Sequence, residues 1–384
     1  MRVLISATGD TDPIRDFHDG PLLHIARKYR PDKIVIIYSE RTIAKKDKME
    51  LAIWSIPQYQ PEIITHNEIL SDELIYHFDT MYDKISSLIQ TYLDKNNELI
   101  LNLSSATPQV KSAFFVANRL NDMNVTAVQV ISSVHGSNEE IPHANKEDIH
   151  DLIEYNFDNE ADYEDRTVED KAEKFGLALL KRNLRNLITH YDYKAALDML
   201  EQEAEFSQSN TLKDKLQDIV KSHNTQGLPK GIQKKKINDE EKKILNSYLL
   251  IDLQKKRGNL SESLIRMKSL TEYLLDYLIT KEFPNAVTVY CDTENKNYLN
   301  LFDYKRLLKE HKMWSIQKLI KPVLSLNQSR NAVAHSLDQL DSETIKDLGQ
   351  AVKNVKALVI ENTAITNQMC QFYDEFNQSC LELL

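Results

Sequence analysis

Over the first 135 residues, short runs of β-branched and apolar residues alternate with amphipathic stretches. The runs are RVLISA (2–7), KIVIIYS (33–39), EIITH (62–66), LILNLSS (99–105) and VTAVQVISS (125–133). Between them, apolar positions at helical spacing predict helices over 21–29, 43–54, 71–94 and 108–120, with Pro108 suited to a first helical turn. Such alternation predicts βαβ units around a mostly parallel sheet. From about 166 the period becomes 3.6 and stays so, as in GLALLKRNLRNLI (176–188) and YKAALDMLEQEAEF (193–206). KSHNTQGLPKGIQ (221–233) reads as a loop between helical parts, and NAVTVYCDTENKNYL (285–299) as irregular.

The expected fold class is therefore an α/β front domain with a Rossmann-like order, then an all-α connecting region and an all-α back domain. The boundaries fall at 1–165, 166–231 and 232–384. At 384 residues the chain is long enough for more than one domain. The first strand runs into TGDTDP and not GxGxxG, which disfavours a conventional dinucleotide enzyme. No apolar run reaches membrane-spanning length, so a cytoplasmic protein with no membrane partner is expected. Three cysteines without ligand spacing predict neither a disulfide framework nor a zinc knuckle, and no metal site is expected.

Charge narrows the function classes. The net charge is −10, against a protein that coats duplex nucleic acid, and residues 151–170 alone carry one basic and nine acidic groups. A nucleic-acid substrate is easier to place in the back half, in a local groove. Lys234–Lys236 reads as a solvated helix start.

Ligands of an open parallel sheet sit beyond the carboxyl ends of its strands. Two segments qualify there. Thr8, Gly9, Asp10 and Asp12 follow the first strand, and Ser105, Thr107 and Gln109 follow the fourth and lead into a helix N-terminus, where hydroxyls and backbone N–H groups suit phosphate and ribose oxygens. The same types also serve as caps and turn formers. His135, after the fifth strand, faces the same rim.

A second candidate is Ser329-Arg330-Asn331-Ala332-Val333-Ala334-His335. An arginine five positions before a histidine suits metal-free RNA cleavage, with the imidazole moving protons and the guanidinium stabilising phosphoryl charge. Pro322 and Asn327–Ser329 predict a helix beginning just before Arg330, which places Asn331 and His335 on one face. Arg306–His311 and Arg185–His190 share the spacing but lie in Leu-rich, charge-flanked helices, where solvated or packing roles are expected.

The ordered set GDTDPI with GPLLHI, NLSSATPQVKSAF and SRNAVAHS resembles the type III CRISPR-associated ancillary ribonucleases that join a CARF domain to a HEPN domain, nearest the streptococcal type III-A members. The resemblance implies a homodimer that binds a cyclic oligoadenylate, made by the type III effector complex, across its two-fold axis and cuts single-stranded RNA at a composite HEPN site. It places Arg330, Asn331 and His335 on the HEPN motif. Thr8, Gly9, Asp10 and Asp12 fall on the first CARF loop, and Ser105, Thr107 and Gln109 on the loop after the fourth strand. It makes Thr107 and His135 candidates for slow cleavage of the activator, and cyclic hexaadenylate the expected ring. No cofactor is implied. The rival readings are a non-catalytic nucleotide sensor with a helical docking module and a transcriptional regulator, the latter disfavoured by the acidic charge.

Overall fold

The computed structural model describes residues 1–119, 125–133, 147–202, 210–233, 236–326 and 342–384. The chain divides into two compact units, Met1–Gly176 and Leu177–Leu384.

The first unit is built on β1 (Arg2–Ala7), β2 (Ile14–Arg15), β3 (His18–Asp19), α1 (Pro21–Tyr29), β4 (Lys33–Ile37), α2 (Lys46–Trp54), β5 (Glu62–Thr65), α3 (Phe78–Tyr92), β6 (Glu98–Asn102), α4 (Pro108–Arg119), β7 (Val125–Val130), α5 (Ile149–Glu154) and β8 (Thr167–Glu169). Six strands form one sheet in the order β5-β4-β1-β6-β7-β8. The first five pair in parallel and β8 pairs antiparallel to β7. Both faces are covered, which is why the strands read as unbroken apolar runs. Val3, Ile5 and Ala7 of β1 join a core with α3 and α4, while Leu4 joins a core with α1 and α2. The mostly parallel sheet expected from the alternation is present.

Local differences have local causes. The helix expected over 71–94 begins at Phe78. Residues before it form turns, because Leu70 bridges to Ser39 and Ile75 is buried in the core that β1 and β6 share with α3 and α4. β8 lies beyond the expected limit at 165 and hydrogen-bonds to β7. The two-residue strands β2 and β3 make a hairpin whose turn residues, Asp16 and Phe17, both hold left-handed φ (49° and 59°), the conformation a tight hairpin needs.

The second unit is helical. α6 (Glu173–Thr189) begins in the first unit and runs past Gly176 into α7 (Tyr193–Gln202), α8 (Asn210–Thr225), α9 (Lys230–Gln233), α10 (Asp239–Lys256), α11 (Leu260–Glu282), α12 (Ala286–Glu294), α13 (Leu301–Glu310) and α14 (Trp314–Ser325). The helices Ser342–Asn362, Asn367–Cys370 and Phe372–Leu381 close it. Asn238 and Glu241 form a reciprocal capping box at the start of α10, and Asn300 and Asp303 do the same for α13. The stretch expected to be irregular holds α12: Val287 and Tyr290 pack on the core, and that burial overrides the poor helix propensity of its β-branched residues. Among the described residues, no helix is long and apolar enough to cross a membrane.

Candidate functional site

Strand order reverses direction at β1, which has β4 on one side and β6 on the other. The loops leaving β1 and β6 therefore diverge to opposite faces and open a crevice between them. They approach closely. A Cβ on Gly9 would stand 3.0 Å from the Ala106 nitrogen, and Ala106 itself holds a left-handed φ of 80°. A non-glycine residue in that conformation is strained, and such strain collects at ligand sites.

Asp12 wires the crevice together. Its buried carboxylate accepts from the Gly9 N–H (2.8 Å), from the Leu22 N–H in the first turn of α1 (3.1 Å), and from the Ser105 hydroxyl. Burial raises its pKa, and these hydrogen bonds with Lys45 offset part of that rise. Lys45 donates to the carbonyls of Gly9, Asp10 and Asp12. Ser105 also accepts from the Asn102 amide (2.9 Å), and the Thr8 hydroxyl is bound to Thr42 (2.7 Å). Thr8, Asp12 and Ser105 are thus buried and internally bonded. Asp10 is exposed and 3.3 Å from Arg41, Thr107 reaches the Ile75 carbonyl at 3.5 Å, and the buried Gln109 Oε1 has no hydrogen-bond partner.

Beside these loops lies a cleft of about 630 Å³ at the carboxyl ends of β6 and β7. The N-termini of α1 (Gly20, Pro21) and α4 (Pro108) both border it, as do Thr11 and Ser104, the direct neighbours of the expected loop residues. Three cations, Arg15, Lys111 and Arg166, line the same cleft. Helix N-termini and a lysine are groups that suit an anion, while Arg166 is paired with Asp158 and Arg15 lies 3.4 Å from Asp16. None of these three stands out among the chain's basic residues by sequence motif. Lys111, one turn into the helix after SSATP, carried the available signal; Arg166 lies in an acidic segment and carried none.

That acidic segment is tied into the fold by buried ion pairs and hydrogen bonds. Arg27 forms a two-bond pair with the buried Asp19 (2.6 and 3.1 Å), and Asn156 adds a bond to the same carboxylate (2.7 Å). Arg166 Nη2 donates to Asp158 (2.8 Å) and to the Asp19 carbonyl (3.0 Å), and the Arg166 N–H donates to His24 Nε2 (3.0 Å). Burial works to raise the Asp158 pKa, but bonds from His24 and the Asp19 N–H, with the Arg166 charge, hold it down at about 2. Asp19, His24 and Asp158 have metal-ligand spacing. Two guanidinium groups already balance both carboxylates, so the cluster fits a closed ion-pair network that fixes the cleft wall.

Arg330, Asn331, His335 and His135 lie outside the described residues. Pro322 falls in the last turn of α14, where its carbonyl accepts from the Ser325 hydroxyl (2.7 Å). Of the other Arg–His pairs, His311 is stacked on Phe283 with centroids 4.2 Å apart, and Arg185 and His190 are exposed.

Comparison with known proteins decides the family. The Cas_Csm6 CARF domain matches residues 62–167, the Csm6 6H domain 171–213 and the Cas_Csm6 HEPN domain 231–326. The chain is 50% identical to the CRISPR system endoribonuclease Csm6′ of Streptococcus thermophilus, over 100% of both chains. The chain belongs to the Csm6 endoribonuclease family. A second Streptococcus thermophilus Csm6 is 35% identical, again over 100% of both chains. The structure of Enterococcus italicus Csm6 bound to cyclic hexa-2′-fluoro-hexa-dAMP superposes with a TM-score of 0.76 at 23% identity, covering 100% of each chain, which shows the shared fold. In this member of the family the sheet unit is accordingly the CARF domain and the cleft lies within it, while the helical back of the chain holds the HEPN domain.

Proposed function

We propose that this Csm6-family chain is an endoribonuclease switched on by a cyclic oligoadenylate in the CARF cleft, and that it acts in the cytoplasm as a homodimer on single-stranded RNA. The observation that supports this reading is the cleft itself, which Arg15, Lys111 and Arg166 line together with the N-termini of two helices near the strand-order switch. Its volume of about 630 Å³ suits a single drug-sized ligand. A six-nucleotide ring is several times larger, so two copies share it across a two-fold axis. The cyclic hexa-nucleotide analogue carried by the Enterococcus italicus relative favours a ring of six. Thr8, Gly9, Asp10, Asp12, Ser105, Thr107 and Gln109, on the loops beside the cleft, are with His135 the proposed ligand-binding set, and Thr107 with His135 are the residues for slow cleavage of the activator.

The RNA cut needs no metal in this scheme. The substrate 2′-oxygen attacks the neighbouring phosphorus as its proton passes to a base, and the 5′-oxygen leaves with a proton. His335 serves proton transfer and Arg330 stabilises the phosphoryl oxygens, with Asn331 the third residue of the motif. The products end in a 2′,3′-cyclic phosphate and a 5′-hydroxyl.

The test is cleavage of a labelled single-stranded RNA in EDTA with a panel of cyclic oligoadenylates. Stimulation by the six-membered ring, undiminished by EDTA and abolished in His335→Ala, is the expected result. Activator binding without RNA turnover would instead establish a non-catalytic sensor.

A further inference from the structure

We infer that Asp170 and Phe175 are positioning residues that fix the first turn of α6 to the walls of the activator cleft; this rests on the function proposed above. Two elements that line the cleft converge on this joint. On α4, Lys111 and Phe115 stand four residues apart and both face the cleft. The Phe115 ring meets Phe175 edge-on, with centroids 5.4 Å apart at 64°. One turn further, the Arg119 guanidinium lies 5.4 Å from the Phe115 ring, donates to the Asp170 carbonyl and stands 3.4 Å from its carboxylate. On β7, the cleft residue Gln129 donates its amide to the Asp170 carboxylate (3.2 Å).

Asp170 is held from every side. Its N–H donates to the Ala127 carbonyl of β7 (2.9 Å), and its carboxylate accepts from the Ala172 N–H (2.9 Å). Ala172 holds a left-handed φ of 41°, and its carbonyl accepts from the N–H groups of Phe175 and Gly176 as α6 begins. A non-glycine residue there is strained, so the surrounding contacts determine where the helix starts. α6 then continues past Gly176 into the second unit. A displacement of α4 or of Gln129 by a ligand therefore reaches α6 through packed and hydrogen-bonded groups and not through a slack linker. Phe175 is 39% exposed, so its ring serves that contact more than the core.

The experiment uses the full chain, measuring binding of cyclic hexaadenylate, RNA cleavage with and without it, and hydrogen exchange of the segment 170–180. Phe175→Ala is expected to bind the ring as the parent does and to keep the unstimulated rate. It should lose about tenfold in stimulated rate, within the usual range of coupling between sites. Ligand-induced change in exchange at 170–180 should disappear with it. Phe175→Tyr, which keeps the ring edge, should restore both, and Arg119→Met should repeat the loss. Full stimulation of Phe175→Ala overturns the inference, as does a loss explained by weaker binding alone. A parent chain unmoved by every ring would sink the functional proposal first, and this one with it.

Discussion

The Ser105 hydroxyl donates to the buried Asp12 carboxylate, so the loops that leave β1 and β6 are joined by a side-chain bond at the strand-order switch. Asp12 also holds the N–H groups of Gly9 and Leu22. Asp12→Ala leaves both without their partner in a buried place, where each lost bond costs about 1–3 kcal/mol. The variant should unfold at distinctly lower urea concentration and require more activator. A parent-like urea midpoint would show that these bonds do not hold the loops.

Glycines 20 and 176 should respond in opposite senses. A Cβ at Gly20 would lie 2.5 Å from the Thr11 carbonyl oxygen and 2.9 Å from the Asp12 Cα, so Gly20→Ala must push the β1 loop away from α1 at the cleft. Nothing lies within 4 Å of a Cβ at Gly176, which sits inside α6. Gly176→Ala should stabilise the chain by about 0.5–1 kcal/mol, the helix-interior difference between these residues. Thermal melts of the two variants check the contrast, and a destabilised Gly176→Ala would refute it.

The sheet was legible because its strands are buried on both faces and separated by helix-period stretches, and the rule for switch points led to the loops after β1 and β6, of which Thr11, Ser104 and Pro108 border the cleft. Their inner wiring was not legible. Aspartate, serine and threonine that bind a ligand look the same in sequence as those that bind neighbouring backbone, and only the fold shows that Asp12, Ser105 and Thr8 turn inward. The cleft's cations were missed for a related reason. Arg166 acquires its place through bonds to Asp19, Asp158 and His24, up to 147 residues away, which no local pattern encodes. Of the nine acids of 151–170, Asp158, Asp165 and Asp170 are matched to Arg166, Lys28 and Arg119, pairings that a count of charge does not reveal.

Acid should weaken the helical unit first. His223 lies 2.8 Å from the Tyr373 hydroxyl and beside the Tyr193 ring; burial, then the Arg257 charge, lowers its pKa from 6.5 to about 4. The unfolded chain takes up a proton that the folded chain resists. Its contribution is therefore complete above about pH 6.5 and is lost as the pH falls toward 4, by at most about 3 kcal/mol and less where water screens the ring. Asp158, with its pKa lowered to about 2 from 3.8, adds stability to the sheet unit that is present above pH 3.8 and lost only as the pH falls toward 2. Urea midpoints at about pH 7.5 and 5 should drop for the parent and change less for His223→Gln. Equal drops in both would remove His223 as the cause.

Charge at the cleft and chemistry at the HEPN motif should separate in one titration. Lys111 lines the cleft at the start of α4, where an anion also meets the helix N-terminus. Reversing it to glutamate puts repulsion in place of attraction while leaving the second unit untouched. Lys111→Glu should shift the activation curve to higher cyclic hexaadenylate by about tenfold or more, as expected for one close charge pair in a partly buried site, and reach the parent rate at saturation. The shift should shrink in high salt. His335→Ala should bind the ring like the parent and stay inactive at every concentration. A Lys111→Glu curve that keeps both the parent midpoint and the parent plateau would remove the cleft as the activator site, and a lowered plateau with an unshifted midpoint would instead place Lys111 in the transmission of the signal.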